Sequence, residues 1–135
     1  MTKKEKELLS KDLCARLYYG IKGLHRGQVH ILKTMDWGYD RVSIKVDGYD
    51  AWFPVDSFKP YLRPMSSMTE KENEELKYVI ELELQALEGE EGHNTVSAAP
   101  AAFEVDFYNK HHFDYRGLIE KGLALEAEDG MYKTE

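Results

Sequence analysis

The sequence predicts an α+β fold: an N-terminal helix, a small SH3-like antiparallel β-barrel or twisted sheet, and then packed C-terminal helices. Short alternating apolar segments separated by turn residues fill residues 18–63, a leucine repeat precedes them, and a capped helical pattern follows. The chain has 135 residues, which is enough for one domain with a core of its own. We therefore predict a single domain over residues 1–135.

Residues 1–17 are predicted to form the first helix. Leu9, Leu13 and Leu17 recur at every fourth position, and Gly20 follows the last of them. So short a helix is marginally stable alone, and its apolar face needs a partner. The block of strands that follows is the simplest partner.

The β block spans residues 18–63, and its clearest strand is 41–46, where apolar and polar residues alternate. Asp47-Gly48 after this strand predicts a two-residue type I′ turn, since both residue types accept positive φ. The other predicted strands are 21–25, 28–34, 49–53 and 61–63, with turns at 35–40 and 54–60. Five short strands with a helical turn before the last suggest the SH3-like barrel, and a twisted antiparallel sheet fits almost as well.

A second helix is predicted over residues 69–88. Thr69 and Glu72 form a capping box, in which each side chain accepts a hydrogen bond from the other residue's backbone. The expected apolar stripe is Leu76, Val79, Ile80, Leu84 and Leu87, and the expected solvated carboxylates are Glu70, Glu72, Glu74, Glu75, Glu81 and Glu83. Residues 89–99 are predicted to be a mobile linker.

Residues 100–127 are predicted to form a docked C-terminal helical segment. A helix runs to about Asn109, and Asp114 is predicted to cap a last short helix from Tyr115 to Lys121 that Gly122 closes. The apolar side chains Phe103, Phe107, Phe113, Leu118, Ile119, Leu123 and Leu125 are too numerous for a solvated tail. They are expected to dock on this chain or on a second copy, which makes a homodimer through this segment one expectation.

Charge is divided unevenly along the chain. Residues 1–63 carry 12 Lys and Arg against 8 Asp and Glu, and residues 64–135 carry 6 against 17. These counts give formal charges of +4 and −11 within the net −7. The acidic half should be repelled by a phosphate backbone, while the mildly basic half is the candidate for nucleic-acid binding.

The sequence points away from an enzyme. Cys14 lies on the first helix with no sequence signature of an activating base, so packing is its expected role. The chain contains no phosphate-binding loop, dinucleotide motif, nucleophile elbow or zinc-protease motif, and no cofactor is expected. No apolar run is long enough to span a membrane and none follows the charged start, so the expected location is the cytoplasm.

One cluster has residue types that bind metals: His111, His112 and Asp114. Adjacent histidines on a helix point about 100° apart, so both would reach one ion only where the helix has ended. The competing interpretation is that Asp114 caps the last helix and the histidines favour the end of the preceding one. We favour the cap and keep the cluster as a weak metal candidate.

Trp37 and Tyr39 lie in a predicted turn, next to Arg41, and are the aromatic residues most expected to be exposed. Most other aromatic residues of the β block are expected to fill its core. Exposed aromatic and arginine side chains suit protein binding, and also the stacking of single-stranded bases. The leading hypothesis is a non-enzymatic protein-interaction module with an unidentified protein partner. The alternative is a nucleic-acid-binding accessory protein that uses the basic β block.

Three segments carry a resemblance to a known family. They are residues 13–17 (LCARL), 59–69 (KPYLRPMSSMT) and 112–127 (HFDYRGLIEKGLALEA). They resemble an uncharacterised family of small bacterial proteins that are often met in prophage-like or other mobile regions of gut anaerobes. The resemblance implies a bacterial cytoplasmic protein of prophage-like origin. Because the family has no assigned activity, the resemblance implies no catalytic residue.

Overall fold

In the order of the chain, one helix precedes a block of short strands and two helices follow it. The computed structural model describes residues 1–88 and 99–132, with the side chains of Trp37, residues 86–88 and residues 99–102 left out. The elements are α1 (Lys3–Arg16), β1 (Lys22–His25), β2 (Gln28–Ile31), β3 (Thr34–Asp36), β4 (Arg41–Val46), β5 (Tyr49–Pro54), β6 (Lys59–Leu62), α2 (Glu70–Glu88), α3 (Ala99–Lys110) and β7 (Leu125–Glu126). The fold is mixed α+β. Almost all of the predicted linker 89–99 lies outside the described residues.

The first helix, predicted over residues 1–17, starts at a capping box that the sequence analysis did not identify. The Thr2 hydroxyl accepts a hydrogen bond from the Glu5 backbone, and the Glu5 carboxylate accepts one from the Thr2 backbone. Leu9 and Leu13 are fully buried, as the leucine repeat predicts. A short 3₁₀ turn follows, and Gly20 reverses the chain at φ 71°.

Strands form two sheets, in the orders β2-β1-β6-β7 and β3-β4-β5. The pairs β1–β2, β1–β6, β3–β4 and β4–β5 are antiparallel. The β6–β7 pair is parallel, with Tyr61 opposite Leu125, and the antiparallel prediction did not include it. Pairing within residues 1–88 and 99–132 does not close a barrel, so the SH3-like barrel is not confirmed.

The second sheet contains the predicted hairpin. Val46 pairs with Tyr49 across Asp47 and Gly48, whose φ values of 51° and 85° are those of a type I′ turn. The predicted turn 35–40 is too long, because residues 34–36 pair with β4 as strand β3. The turn therefore consists of residues 37–40 alone. Residues 37–39 form a 3₁₀ segment, and Asp40 has a left-handed backbone conformation with φ 49°.

One core joins both ends of the chain to the strands. Its buried members are Leu9, Leu13, Ile21, Leu32, Val42, Ile44, Val55, Phe58, Leu62, Leu118, Leu123 and Ala124. Phe107 and Phe113 are buried beside it, whereas Phe103 stays nearly half exposed, contrary to the expectation that it docks. The predicted last helix, Tyr115 to Lys121, is instead a series of turns, because Gly117 adopts φ 71° and interrupts it.

The second helix begins at the predicted capping box, with Glu72 N 3.2 Å from the Thr69 hydroxyl. The prediction of which side chains of this helix are buried and which are exposed is partly wrong. Glu72 and Glu83 are buried, while Leu84 is exposed. The Glu83 carboxylate faces α3, where it accepts a hydrogen bond from Glu104 N at 3.0 Å, and the next residue, Leu84, faces outward.

A buried ion pair connects α1 to the C-terminal segment. Arg16 and Asp12 have no exposed surface, and Arg16 Nε lies 2.9 Å from Asp12 Oδ2. Arg16 Nη2 donates to the carbonyl of Phe113 at 2.6 Å, and Arg116 Nη1 donates to Asp12 Oδ1 at 2.9 Å. The centre formed by Asp12, Arg16 and Arg116 thereby ties residues 113–116 to the first helix.

Backbone hydrogen bonds add a second connection beside this centre. Arg63 N donates to the carbonyl of His112, and Asp114 N donates to the carbonyl of Arg63, both at 2.8 Å. The guanidinium carbon of Arg63 lies 4.3 Å from the centre of the Phe113 ring. The end of β6 and residues 112–114 are therefore held together by main chain and side chains.

The packing at Gly23 gives a first prediction. A Cβ on this β1 residue would overlap the buried ring of Phe58. Gly23→Ala should lower the free energy of unfolding by about 1–3 kcal/mol, as overpacking in a core does. Denaturant unfolding measures it. Gly38→Ala is the control, since its Cβ would meet nothing nearer than Asp36 at 3.7 Å. Equal stability of Gly23→Ala and wild type would show that β1 and Phe58 do not pack this way.

Candidate functional site

The turn between β3 and β4 is fixed from two sides. The Asp40 carbonyl accepts a hydrogen bond from Val55 N at 2.8 Å, and its carboxylate accepts one from the Ser10 hydroxyl at 3.4 Å. The turn is therefore anchored both to α1 and to the 3₁₀ segment after β5. Tyr39, within this turn, has 75% of its surface exposed. The side chain of Trp37 lies outside the described residues, so its predicted exposure stays a prediction.

Arg41 lies between two aromatic rings. Its guanidinium carbon is 5.2 Å from the centre of the Tyr39 ring and 5.3 Å from that of Trp52. Arg41 Nη2 also donates to Asp36 Oδ2 at 3.0 Å. These contacts hold the arginine in place against the sheet. We call Tyr39, Arg41 and Trp52 the aromatic–arginine surface.

Trp52 is one of the β-block aromatic residues, most of which were expected to fill the core. It is 43% exposed and lies opposite Ser43 in the hairpin, on the same face of the sheet as Arg41, although Ser43 itself is buried. The predicted type I′ turn fixes this register, and the alternation of β4 gives the face. Combining the two would have placed Trp52 beside Arg41.

Several basic side chains of the β block have acidic or aromatic neighbours. Lys33 Nζ lies 2.7 Å from Asp50 Oδ1, and Arg41 is paired with Asp36. The guanidinium of Arg26 lies 5.2 Å from the centre of the Phe53 ring. These basic side chains of the β block are therefore interspersed with acidic and aromatic partners.

His111, His112 and Asp114, the weak candidate for a metal site, each contact a different polar group. His111 Nδ1 lies 3.4 Å from Glu72 Oε2, and His112 Nε2 lies 3.0 Å from the carbonyl of Tyr19. Asp114 accepts backbone hydrogen bonds from Leu118 and Ile119 at 2.8 and 3.0 Å, the capping role that we favoured, although it caps turns and not a helix. No group of three or more His, Cys, Asp or Glu in the described part of the chain is placed to hold a metal ion.

Burial and charge shift the titration of this region. Hydrogen bonds from Arg63, at 2.6 and 2.7 Å, outweigh burial and lower the pKa of Glu72 to about 2. Burial, reinforced by the charge of Arg16, lowers the pKa of His112 to about 4. Burial also lowers the pKa of His111, although Glu72 and Glu75 oppose that change. Both histidines are neutral near pH 7.

Cys14 is half-buried on α1, and burial raises the pKa of its thiol. A raised pKa reduces the thiolate fraction at neutral pH, which is the opposite of what a nucleophilic cysteine requires. The described surroundings of Cys14 therefore agree with packing as its role.

No family model, curated protein or solved structure matches the chain. In the described ranges 1–88 and 99–132, the helices are too short or too polar to cross a membrane.

The titration of His112 and Glu72 predicts that acid destabilises the fold. As pH falls below about 6.5, the unfolded chain protonates His112 before the folded chain does, so stability should fall down to about pH 4. Glu72 adds a further loss from about pH 4.5 towards pH 2, because the folded state favours its charged form. Thermal unfolding between pH 8 and pH 3 measures both.

The variant His112→Asn separates the contribution of His112 to the loss of stability in acid from that of Glu72. Asparagine does not titrate and accepts the left-handed backbone of this position, φ 59°. The variant should be less stable at pH 8 because ring packing is lost, yet should decline less between pH 6.5 and pH 4. An unchanged slope in this window would contradict the assignment to His112.

Proposed function

We propose that this chain is a non-enzymatic protein-binding module and that the aromatic–arginine surface contacts its partner. The observation that carries the proposal is that the guanidinium of Arg41 lies over the rings of Tyr39 and Trp52 and that all three side chains are exposed. Tyrosine, tryptophan and arginine are the residue types most enriched at energetically important positions of protein interfaces. An exposed group of all three is the clearest binding surface among the described residues.

The rigidity of this surface supports the proposal. Arg41 already has its guanidinium held by Asp36 and by two rings, and the turn that carries Tyr39 is anchored through Asp40. A side chain ordered before binding loses less conformational entropy when a partner arrives. The surface therefore suits binding better than an equally exposed group on a loose loop would.

The strand arrangement supports an SH3-like form of the module. Strand β1 pairs with β2, and β3 pairs with β4, which pairs with β5. A 3₁₀ turn at Val55–Ser57 then precedes β6, and β6 returns to pair with β1. Small barrels of this kind bind extended segments of other proteins in aromatic-lined grooves. We propose an extended protein segment as the ligand of the aromatic–arginine surface.

Location and origin are proposed from the family resemblance alone. It supports a bacterial cytoplasmic protein of prophage-like or mobile-element origin. A homodimer by exchange of residues 100–127 is a further proposal, because the contacts that bind Phe113 and Leu118 within one chain exist equally between two copies.

The alternative proposal, nucleic-acid binding by the β block, has weaker support. Phosphate contacts require cations that are free to replace counterions. Lys33 and Arg41 are each paired with a carboxylate, although Lys45 and Lys59 are exposed. We favour a protein partner for this reason.

Substitution of the surface tests the proposal. A partner is first captured on the wild-type chain from the native bacterial cell, and its affinity is then measured for the double variant Tyr39→Ala/Arg41→Ala. Affinity should fall at least about tenfold, because interface anchors of these types contribute more than about 1.4 kcal/mol. The melting temperature should change little, since both side chains are exposed.

Tyr18→Ala is the matched control, because Tyr18 is an exposed tyrosine far from this sheet in sequence. Equal partner affinity for the double variant and the control would exclude the aromatic–arginine surface. Labelled single- and double-stranded DNA should show no binding at micromolar protein and low salt. Binding that weakens steeply with added salt would favour the alternative function instead.

A further inference from the structure

A second surface lies between α2 and α3, away from the aromatic–arginine surface. Glu72 lies next to His111, and Glu83 next to Glu104, so the two helices run antiparallel. They enclose an open groove of about 730 Å³. Its lining includes the large apolar side chains Tyr78, Val79, Leu82, Phe103 and Phe107.

The apolar lining reaches the surface. Tyr78, Leu82 and Phe103 are all exposed, and Tyr78 and Leu82 follow each other by one helical turn. Contiguous exposed apolar side chains around a concave site are typical of a binding groove. The hydrogen bond from Glu104 N to Glu83 and the contact between His111 and Glu72 fix the two walls relative to each other.

Charge around the groove defines what can occupy it. The two whole helices, residues 70–88 and 99–110, carry nine acidic and three basic side chains, a net charge of −6, and of these Glu72 and Glu83 are buried and Glu72 is paired with Arg63. Glu74, Glu75 and Asp106 line the groove directly, opposed by Lys71 and Lys110 at one end. A second copy of this chain would bring two such acidic faces together, and anionic lipid or nucleic acid would be repelled likewise.

The segment that joins the two helices, residues 89–98, does not have the composition expected of an occupant of this acidic, apolar groove. Residues 89–98 contain Glu90 and Glu91 and no basic residue, and their largest aliphatic side chain is Val96. An occupant that matches the groove needs apolar anchors on one face and positive charge beside them. Amphipathic helices dock in this way into grooves between helices.

We propose that the α2–α3 groove binds a basic amphipathic helix of another protein. Apolar side chains one turn apart on that helix contact Tyr78, Leu82 and Phe103, and its flanking Lys and Arg face Glu74, Glu75 and Asp106. This interaction is independent of the aromatic–arginine surface. The two surfaces would allow one chain to bind two partners.

The test uses a display library of helix-forming peptides about 18 residues long, selected on the full-length protein. Enriched peptides should carry an excess of Lys and Arg and apolar residues one helical turn apart. Their affinity should fall at least tenfold for Leu82→Asp and should weaken as salt is raised.

Leu84→Asp is the matched control. Leu84 lies on the same helix and is 54% exposed, against 41% for Leu82, but it does not line the groove. Both variants should therefore fold, which their melting temperatures verify, and only Leu82→Asp should lose binding. No enrichment, enrichment of acidic peptides, or equal binding by both variants would overturn the proposal. A wild-type dimer in sedimentation that Leu82→Asp abolishes would also overturn it, since the groove would then bind a second copy.

Discussion

The buried guanidinium of Arg16 joins α1 to the C-terminal segment. A charge without exposed surface is tolerated only when it is paired and hydrogen-bonded, and Arg16 obtains its partners from Asp12 on its own helix and from the carbonyl of Phe113. Arg116 completes the pairing of Asp12. Because these partners are about 100 residues apart in sequence, α1 cannot reach its observed environment without the C-terminal segment. Removal of one partner of such a pair typically destabilises a protein by about 3–5 kcal/mol.

This centre and the neighbouring contacts of Arg63 give the three resembling segments a structural role. Residues 13–17 supply Arg16, residues 59–69 supply Arg63, and residues 112–127 supply the carbonyl of Phe113 and the guanidinium of Arg116. All of these groups form contacts that hold the fold together. The two proposed binding surfaces lie mostly outside these segments, on β3–β5 and on α2 and α3. In this arrangement, one framework of buried polar contacts supports both proposed surfaces.

Caps and turns that depend on neighbouring residues could be predicted from the sequence, and polar contacts between distant residues could not. The box at Thr69 and the turn at Asp47-Gly48 depend on neighbours within four residues, so residue types alone predicted them. Buried Glu83 was predicted to be solvated because its partner, the backbone N–H of Glu104, lies on another helix. The parallel pairing of β7 with β6 was not predicted for the same reason, because only tertiary packing selects the partner of this strand. At the candidate site, Tyr39 and Arg41 were predicted, while Trp52 required the hairpin register as well.

Native-state hydrogen exchange tests the central claim that the Asp12, Arg16 and Arg116 centre makes the two ends of the chain one cooperative unit. The amide of Leu13 reports on α1, and the amide of Asp114, which donates to the carbonyl of Arg63, reports on the C-terminal segment. We predict that both amides exchange with the same opening free energy, and that Arg116→Ala lowers both together. Exchange of Asp114 at a much lower free energy than Leu13 would contradict the account, because the C-terminal segment would then open while α1 stays folded.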